Sequence, residues 1–195
     1  MKALKISLLI LAGIVALFFL ITALLPATYQ VERKITIAAP LEVVYENIVS
    51  LENWEAWDPW MVQEPTAPNT YEGTRGIGQK RCWNGKVLGK GCMTIYDAVE
   101  LETMNFNLVF LEPYEMHSSG VFTLNTVNEG IEVTWQMYGN LTYPFERLIG
   151  LTMDSSLGTD FENGLKQLKI LCEKEAGAVP EIFSSEISSE DAADE

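Results

Sequence analysis

The sequence predicts an α+β domain in which a curved antiparallel sheet wraps around one long C-terminal helix, preceded by an N-terminal transmembrane helix. Three observations carry this. Residues 6–25, ISLLILAGIVALFFLITALL, are an uncharged apolar run. From about residue 70 to 140, apolar residues recur at every second position, as in TMNFNLVF and GIEVTWQMYG. Beyond Pro144 the apolar spacing returns to that of a helix.

The apolar run comes first. Twenty helical residues span about 30 Å, the thickness of a bilayer's hydrocarbon core. Lys2 and Lys5 precede the run and Pro26 follows it. A cleaved signal peptide is the rival reading, but its apolar region would be shorter, about 7–15 residues, and Leu25-Pro26-Ala27 is a poor small-x-small cleavage site. The run therefore reads as a membrane anchor over residues 1–26. The N-terminal lysines predict a cytoplasmic N-terminus and an extracytoplasmic domain, although Arg33 and Lys34 pull the other way.

Next, TYQVERKITIAA reads as a strand. Pro40 stands at a helix start, and Leu41, Val44, Tyr45 and Ile48 follow a helical stripe. Ser50 is placed to cap a further short helix carrying Trp54, Trp57 and Trp60, which Pro59 should end near Asp58. Strands follow at GIGQKRCW, GCMTIYDAV, TMNFNLVF, HSSGVFTLNTV and GIEVTWQMYG. In two of them Met104, Phe106, Leu108 and Phe110, and Ile131, Val133, Trp135 and Met137, share inner faces. In the final helix, Phe161, Leu165, Leu168 and Cys172 share a face, and Gly158 suggests a bend. The domain is expected over residues 27–177, and PEIFSSEISSEDAADE lies within a disordered acidic tail, residues 178–195.

Composition narrows function. The 195 residues carry a formal net charge of −14, which argues against a nucleic-acid partner, since phosphate binding needs a basic surface. Three cysteines are too few for a disulfide scaffold. No metal-ligand motif or phosphate loop is present, so no cofactor or metal is called for. The only histidine, His117, has the parity of an outward residue, so a Ser-His-Asp or Cys-His arrangement has no base to use. Paired carboxylates, with Asp58, Glu102 and Glu112 as candidates, are the remaining catalytic option. The chain reads as a binding protein rather than an enzyme.

ITIAAPLEVVYENI, WEAWDPW, RCWNGKVLGKGCMTI, LVFLEP, VTWQMYG and LGTDFENGLKQLK, in that order and spacing, resemble the START-like or SRPBCC superfamily of polyketide cyclase-like, helix-grip proteins. The resemblance spans most of residues 31–172. It implies an apolar cavity between sheet and final helix, used for lipids or other hydrophobic small molecules. The expected ligand-facing residues are Trp57, Trp60, Arg81, Trp83, Met104, Phe106, Leu108, Phe110, Trp135, Met137, Phe161 and Leu165, with Trp54 as packing. The expected function is a membrane-anchored protein that binds such a molecule. A cyclase, dehydratase or hydrolase acting in the same cavity is the alternative, and a protein-interaction module is another.

Two details stay open at this level. Arg81 shares the inward parity of Trp83, so it either clamps a ligand's carboxylate or phosphate or pairs with a neighbouring Asp or Glu. Cys82 and Cys92 lie opposite each other if the hairpin CWNGKVLGKGC is centred on Val87. They then form a disulfide in an oxidising compartment, or stay reduced in the cytoplasm.

Overall fold

A computed structural model describes residues 2–178. The acidic tail, apart from Ala178 at the end of the last helix, lies outside the described residues. The chain runs α1 (Lys2–Leu24), β1 (Thr28–Ile37), α2 (Leu41–Val49), a 3-10 turn (Asn53–Ala56), α3 (Pro59–Gln63), β2 (Asn69–Glu72), β3 (Lys80–Asn84), β4 (Lys90–Val99), β5 (Thr103–Glu112), β6 (Met116–Val127), β7 (Gly130–Asn140) and α4 (Phe145–Ala178).

The strands form one antiparallel sheet in the order β1-β7-β6-β5-β4-β3-β2. Its register pairs Met104 with Phe122, Phe122 with Trp135 and Val31 with Met137, so alternate residues of neighbouring strands stack on one inner face. Met104, Phe106, Phe122, Val133, Trp135 and Met137 are buried there. The opposite face is polar, with a Ser119–Asn107 hydrogen bond across β6 and β5. β2 was not anticipated. It is a four-residue edge strand without an apolar alternation, NTYE.

The expected sheet wrapped around the final helix is not what the chain forms. The sheet is open, with β1 and β2 as unpaired edges at opposite ends of the strand order. α4 lies along β1 and touches α2, the 3-10 turn and α3. The Trp-rich segment packs on the sheet beside it. The Trp54 ring sits 6.1 Å from that of Phe106 and 5.6 Å from that of Phe122. The buried indoles of this segment occupy space on the inner face of the sheet.

The tryptophans are not on one helix either. Trp54 belongs to the 3-10 turn and Trp60 to α3. Ser50 does not cap with its side chain; its carbonyl accepts from Asn53 N–H at 3.1 Å. Asp58 is the cap, accepting from the Trp60 N–H at 2.9 Å, with Pro59 in the first helical position. The crowding of indoles has a further cause at the end of α2. A helix leaves its last carbonyls without intrahelical donors. Trp54 Nε1 donates to the Ile48 carbonyl at 2.8 Å and Trp57 Nε1 to that of Asn47 at 3.0 Å. Two buried indoles thus find partners, and two orphan carbonyls are satisfied.

α4 is continuous through Gly158, where a bend was expected. A Cβ there would run into the Arg33 guanidinium. The missing side chain lets Arg33 reach Asp154 and Glu162, both at 3.0 Å, and tie β1 to α4. One turn further on, Phe161 stacks on Trp135 with centroids 4.2 Å apart.

Of α1, residues Leu4–Leu24 are long and apolar enough to cross a membrane, a test that a signal sequence near the N-terminus also passes. A transmembrane assignment therefore does not follow from the fold. α1 does contact the domain: Thr22 is fully buried, and Arg147 Nη1 donates to the Ala23 carbonyl at 3.3 Å.

Candidate ligand-binding site

The inner face of β3–β5 and β7, the 3-10 turn and α3 line a partly open cavity of about 160 Å³. Its wall is mostly aromatic and aliphatic: Trp54, Trp60, Met61, Trp83, Leu88, Met93, Phe106, Leu108, Phe110 and Trp135. Two charged side chains join them, Asp58 and Arg81.

Alternation along β3 turns Arg81 inward with Gln79, and both are buried. Arg81 Nη1 meets Asp58 Oδ2 at 2.7 Å, and its Nε donates to Asn69 Oδ1 at 3.0 Å. Both partners of the ion pair are sealed, with side chains 5% and 4% exposed. Arg81 thus takes the ion-pair role rather than standing free to clamp a ligand, and the pair lies inside the cavity wall, not at an exposed rim. Burial pushes the Asp58 carboxyl above the usual carboxylate range, while Arg81 and the N–H groups of Trp60 and Met61 pull it back. Among the described residues no hydrogen bond is made by Arg81 Nη2.

Trp135 supplies the second polar feature. Its side chain lines the cavity, and its Nε1–H is buried with no hydrogen-bond partner among the described residues. Such an orphan costs about 1–3 kcal/mol unless something accepts from it.

Trp60, Arg81, Trp83, Phe106, Leu108, Phe110 and Trp135 all line this cavity. Trp57, Met104, Met137, Phe161 and Leu165 do not; they are buried in the core beside it. Trp54, expected as packing, is buried in the core and also forms part of the wall, while Trp57 lies in the core beside the cavity. Sequence reasoning also missed Met61, Leu88 and Met93. Asp58, Glu102 and Glu112 do not converge, because Glu102 is exposed and Glu112 pairs with Lys90 at 2.8 Å. His117 is exposed. Among the described residues no cluster of His, Cys, Asp or Glu could hold a metal.

The β3–β4 hairpin beside the cavity is held twice. Cys82 and Cys92 are direct partners in the register and are joined as a disulfide, while Cys172 is a buried free thiol. At the tip, the Glu64 carboxylate accepts from the N–H groups of Lys86, Val87 and Leu88 at 2.9, 2.9 and 3.1 Å. These bonds hold Glu64 below the usual carboxylate range.

A one-sided antiparallel sheet, a long C-terminal helix and an apolar cavity beside them define the helix-grip class. The chain belongs to the polyketide cyclase / dehydrase and lipid transport family, whose pattern matches residues 28–173. No curated protein matches the sequence. Among solved structures it is similar to a protein of Chromobacterium violaceum, at 18% identity and a TM-score of 0.55, over 76% of this chain and 98% of that one. The Aha1 dimer of Colwellia psychrerythraea is similar at 17% identity and 0.53, over 74% and 96%. StfQ, a di-domain ARO/CYC of the steffimycin biosynthetic pathway, is similar at 13% identity and 0.59, over 77% of this chain and 52% of that one. At these identities the likeness is one of fold.

Proposed function

We propose that this protein is a membrane-tethered binder of a small hydrophobic molecule, held in the cavity beneath Trp54 and Trp60. The observation that carries the reading is the cavity itself, whose wall is aromatic and aliphatic apart from the Asp58–Arg81 pair, which suits a ligand with an apolar body. Size sharpens it. An apolar cavity of about 150 Å³ accommodates a benzene-sized guest. The ligand is then one ring or a short chain, and a diacyl lipid would fit only after α3 and the β3–β4 hairpin moved apart.

The tether is α1. Its length fits a bilayer. The burial of Thr22 and the bond from Arg147 to its last turn favour a helix retained with the domain over a cleaved leader. The lysines in the first turn or two of α1 and the Cys82–Cys92 disulfide both favour an extracytoplasmic domain. Native mass spectrometry of the detergent-extracted chain tests the reading. A co-purifying compound of single-ring or short-chain size, lost when Leu108→Trp fills the cavity, is expected. Repeated extraction with nothing bound, or with intact diacyl lipid bound equally well by that variant, refutes it.

A second reading has one observation behind it. A carboxyl and a guanidinium meet inside the cavity, as an acid–base enzyme of the cyclase or dehydratase kind would require. Against it, both Asp58 oxygens are already engaged, by Trp60 N–H and by Arg81. Turnover of the bound compound by the native chain, abolished in Asp58→Asn with binding retained, would favour the enzyme.

A further inference from the structure

The start of α4 carries an apolar surface that nothing else in the domain covers. Phe145 is 67% exposed and Leu151 63%, and Leu148 and Ile149 are exposed beside them. Beside them runs α1. Tyr143 Oη donates to the Phe19 carbonyl at 3.1 Å, and the Phe145 ring lies 5.8 Å from that of Phe18. Arg147 reaches the last turn of α1, and its guanidinium also covers the Tyr143 ring at 5.4 Å.

These contacts set a depth. Phe18 precedes the end of α1 at Leu24 by six residues, about 9 Å along a helix axis. If α1 is the anchor proposed above, on which this argument rests, a side chain that touches Phe18 sits below the level where α1 leaves the bilayer. We infer that the start of α4 docks into the membrane surface, with Phe145 among the lipid chains and Leu148 above it, while Leu151 has risen to the level of Pro26 and Thr28, where α1 has ended. Residue types fit their levels. Arg147 keeps its charge at the carbonyl end of α1, and the deeper Tyr143 hydroxyl is paired with the Phe19 carbonyl.

The sheet's register brings the cavity into the same picture. Thr28 pairs with Asn140, Phe110 with Met116 and Gly91, and Asn84 with Lys90, so all of these lie at the end of the sheet from which α1 departs. Trp83, Leu88 and Phe110 of the cavity wall belong to that end. Val87 and Tyr114, each 75% exposed, stand on its loops. Docking this end brings the cavity wall toward lipid, so an apolar ligand can pass between bilayer and protein with little exposure to water.

Nitroxide labels on the full chain in phosphatidylcholine vesicles test the docking. Cys82 and Cys92 are tied in a disulfide, and burial pushes the Cys172 thiol up to about 12, so introduced cysteines label selectively. Phe145→Cys and Leu148→Cys probe the face. Val15→Cys marks the inside of α1, and Ile170→Cys, exposed at the far end of α4, marks water. Relaxation by oxygen should exceed that by a water-soluble nickel chelate several-fold at 145, 148 and 15, with the order reversed at 170. Nickel accessibility at 145 and 148 with lipid exposure at 15 overturns the docking and leaves the anchor standing. Protection from both agents at 145 and 148 means that a second copy covers the face, which also overturns it. Nickel accessibility at 15 removes the anchor and the docking together.

Discussion

Replacing Arg81 by Met tests how the cavity wall is held. The methionine keeps most of the apolar stem but removes the guanidinium, and with it the bonds to Asp58 at 2.7 Å and Asn69 at 3.0 Å. Asp58, 3% exposed, is left with backbone donors alone. Removing one partner of a buried pair costs about 3–5 kcal/mol, because the other charge stays buried. Adding Asp58→Asn keeps an acceptor for the Trp60 N–H and removes that charge. The double variant should regain much of the loss, with a coupling of about 2–3 kcal/mol. The pH dependence has a definite sign. Burial already raises Asp58 in the native fold, and losing Arg81 removes the main opposing influence. A carboxyl raised on folding contributes stability below its unfolded value, near about 3.9, and loses it as pH rises through the folded value. The deficit of Arg81→Met should therefore be larger near neutral pH than near about pH 4. Urea unfolding of the detergent-solubilised chain, followed by tryptophan fluorescence, measures all of this. A loss below about 1 kcal/mol, the range of an exposed pair, or a double variant no more stable than the single, would refute the reasoning.

Three other outcomes are expected. Gly120→Ala places a methyl against the Phe106 ring, 2.8 Å from Cε1 and Cε2; it should cost about 1–3 kcal/mol by overpacking and reduce ligand retention, as native mass spectrometry would record. Glu64→Gln should speed amide exchange at Val87 and Leu88. In the native chain the same loosening should set in as pH falls through the lowered Glu64 value, because a carboxyl lowered on folding stabilises only above it. Thiol counting on unfolded, unreduced protein should find Cys172 alone, and none in the folded protein near neutral pH, where burial holds that thiol protonated.

The inner faces of β5 and β7 were legible because period-two alternation leaves no choice of side: Met104, Phe106, Val133 and Trp135 are buried as it requires. How far the sheet curls was not legible, since curvature has no period. It depends on what fills the concave side, and here the Trp segment does. Asp58 and Arg81 were each singled out, but nothing local pairs positions 23 apart. One signal carries two meanings: Pro59 does keep Asp58 out of the helical turn that ends at Ala56, and Asp followed by Pro is also the cap and first residue of the next helix. Reading it as a start would have anchored the Asp58 side chain at the head of α3 and separated Trp60 from Trp54 and Trp57. The orphan Trp135 N–H had no sequence signal, because its lack of a partner is a property of the packed interior.

The indoles that close α2 also give the protein an optical handle. Trp54 and Trp57 lie with ring centroids 4.5 Å apart and nearly perpendicular to Trp135. Chromophores this close couple, so the circular dichroism of the domain carries an indole contribution on top of its backbone bands. Trp54 is at once a member of that pair, a donor to the end of α2 and part of the cavity wall. A guest that shifts it would alter the coupled signal directly. Occupancy can then be followed without an added dye, and a helix content read from the far-ultraviolet spectrum alone would be in error by an amount that varies with the guest.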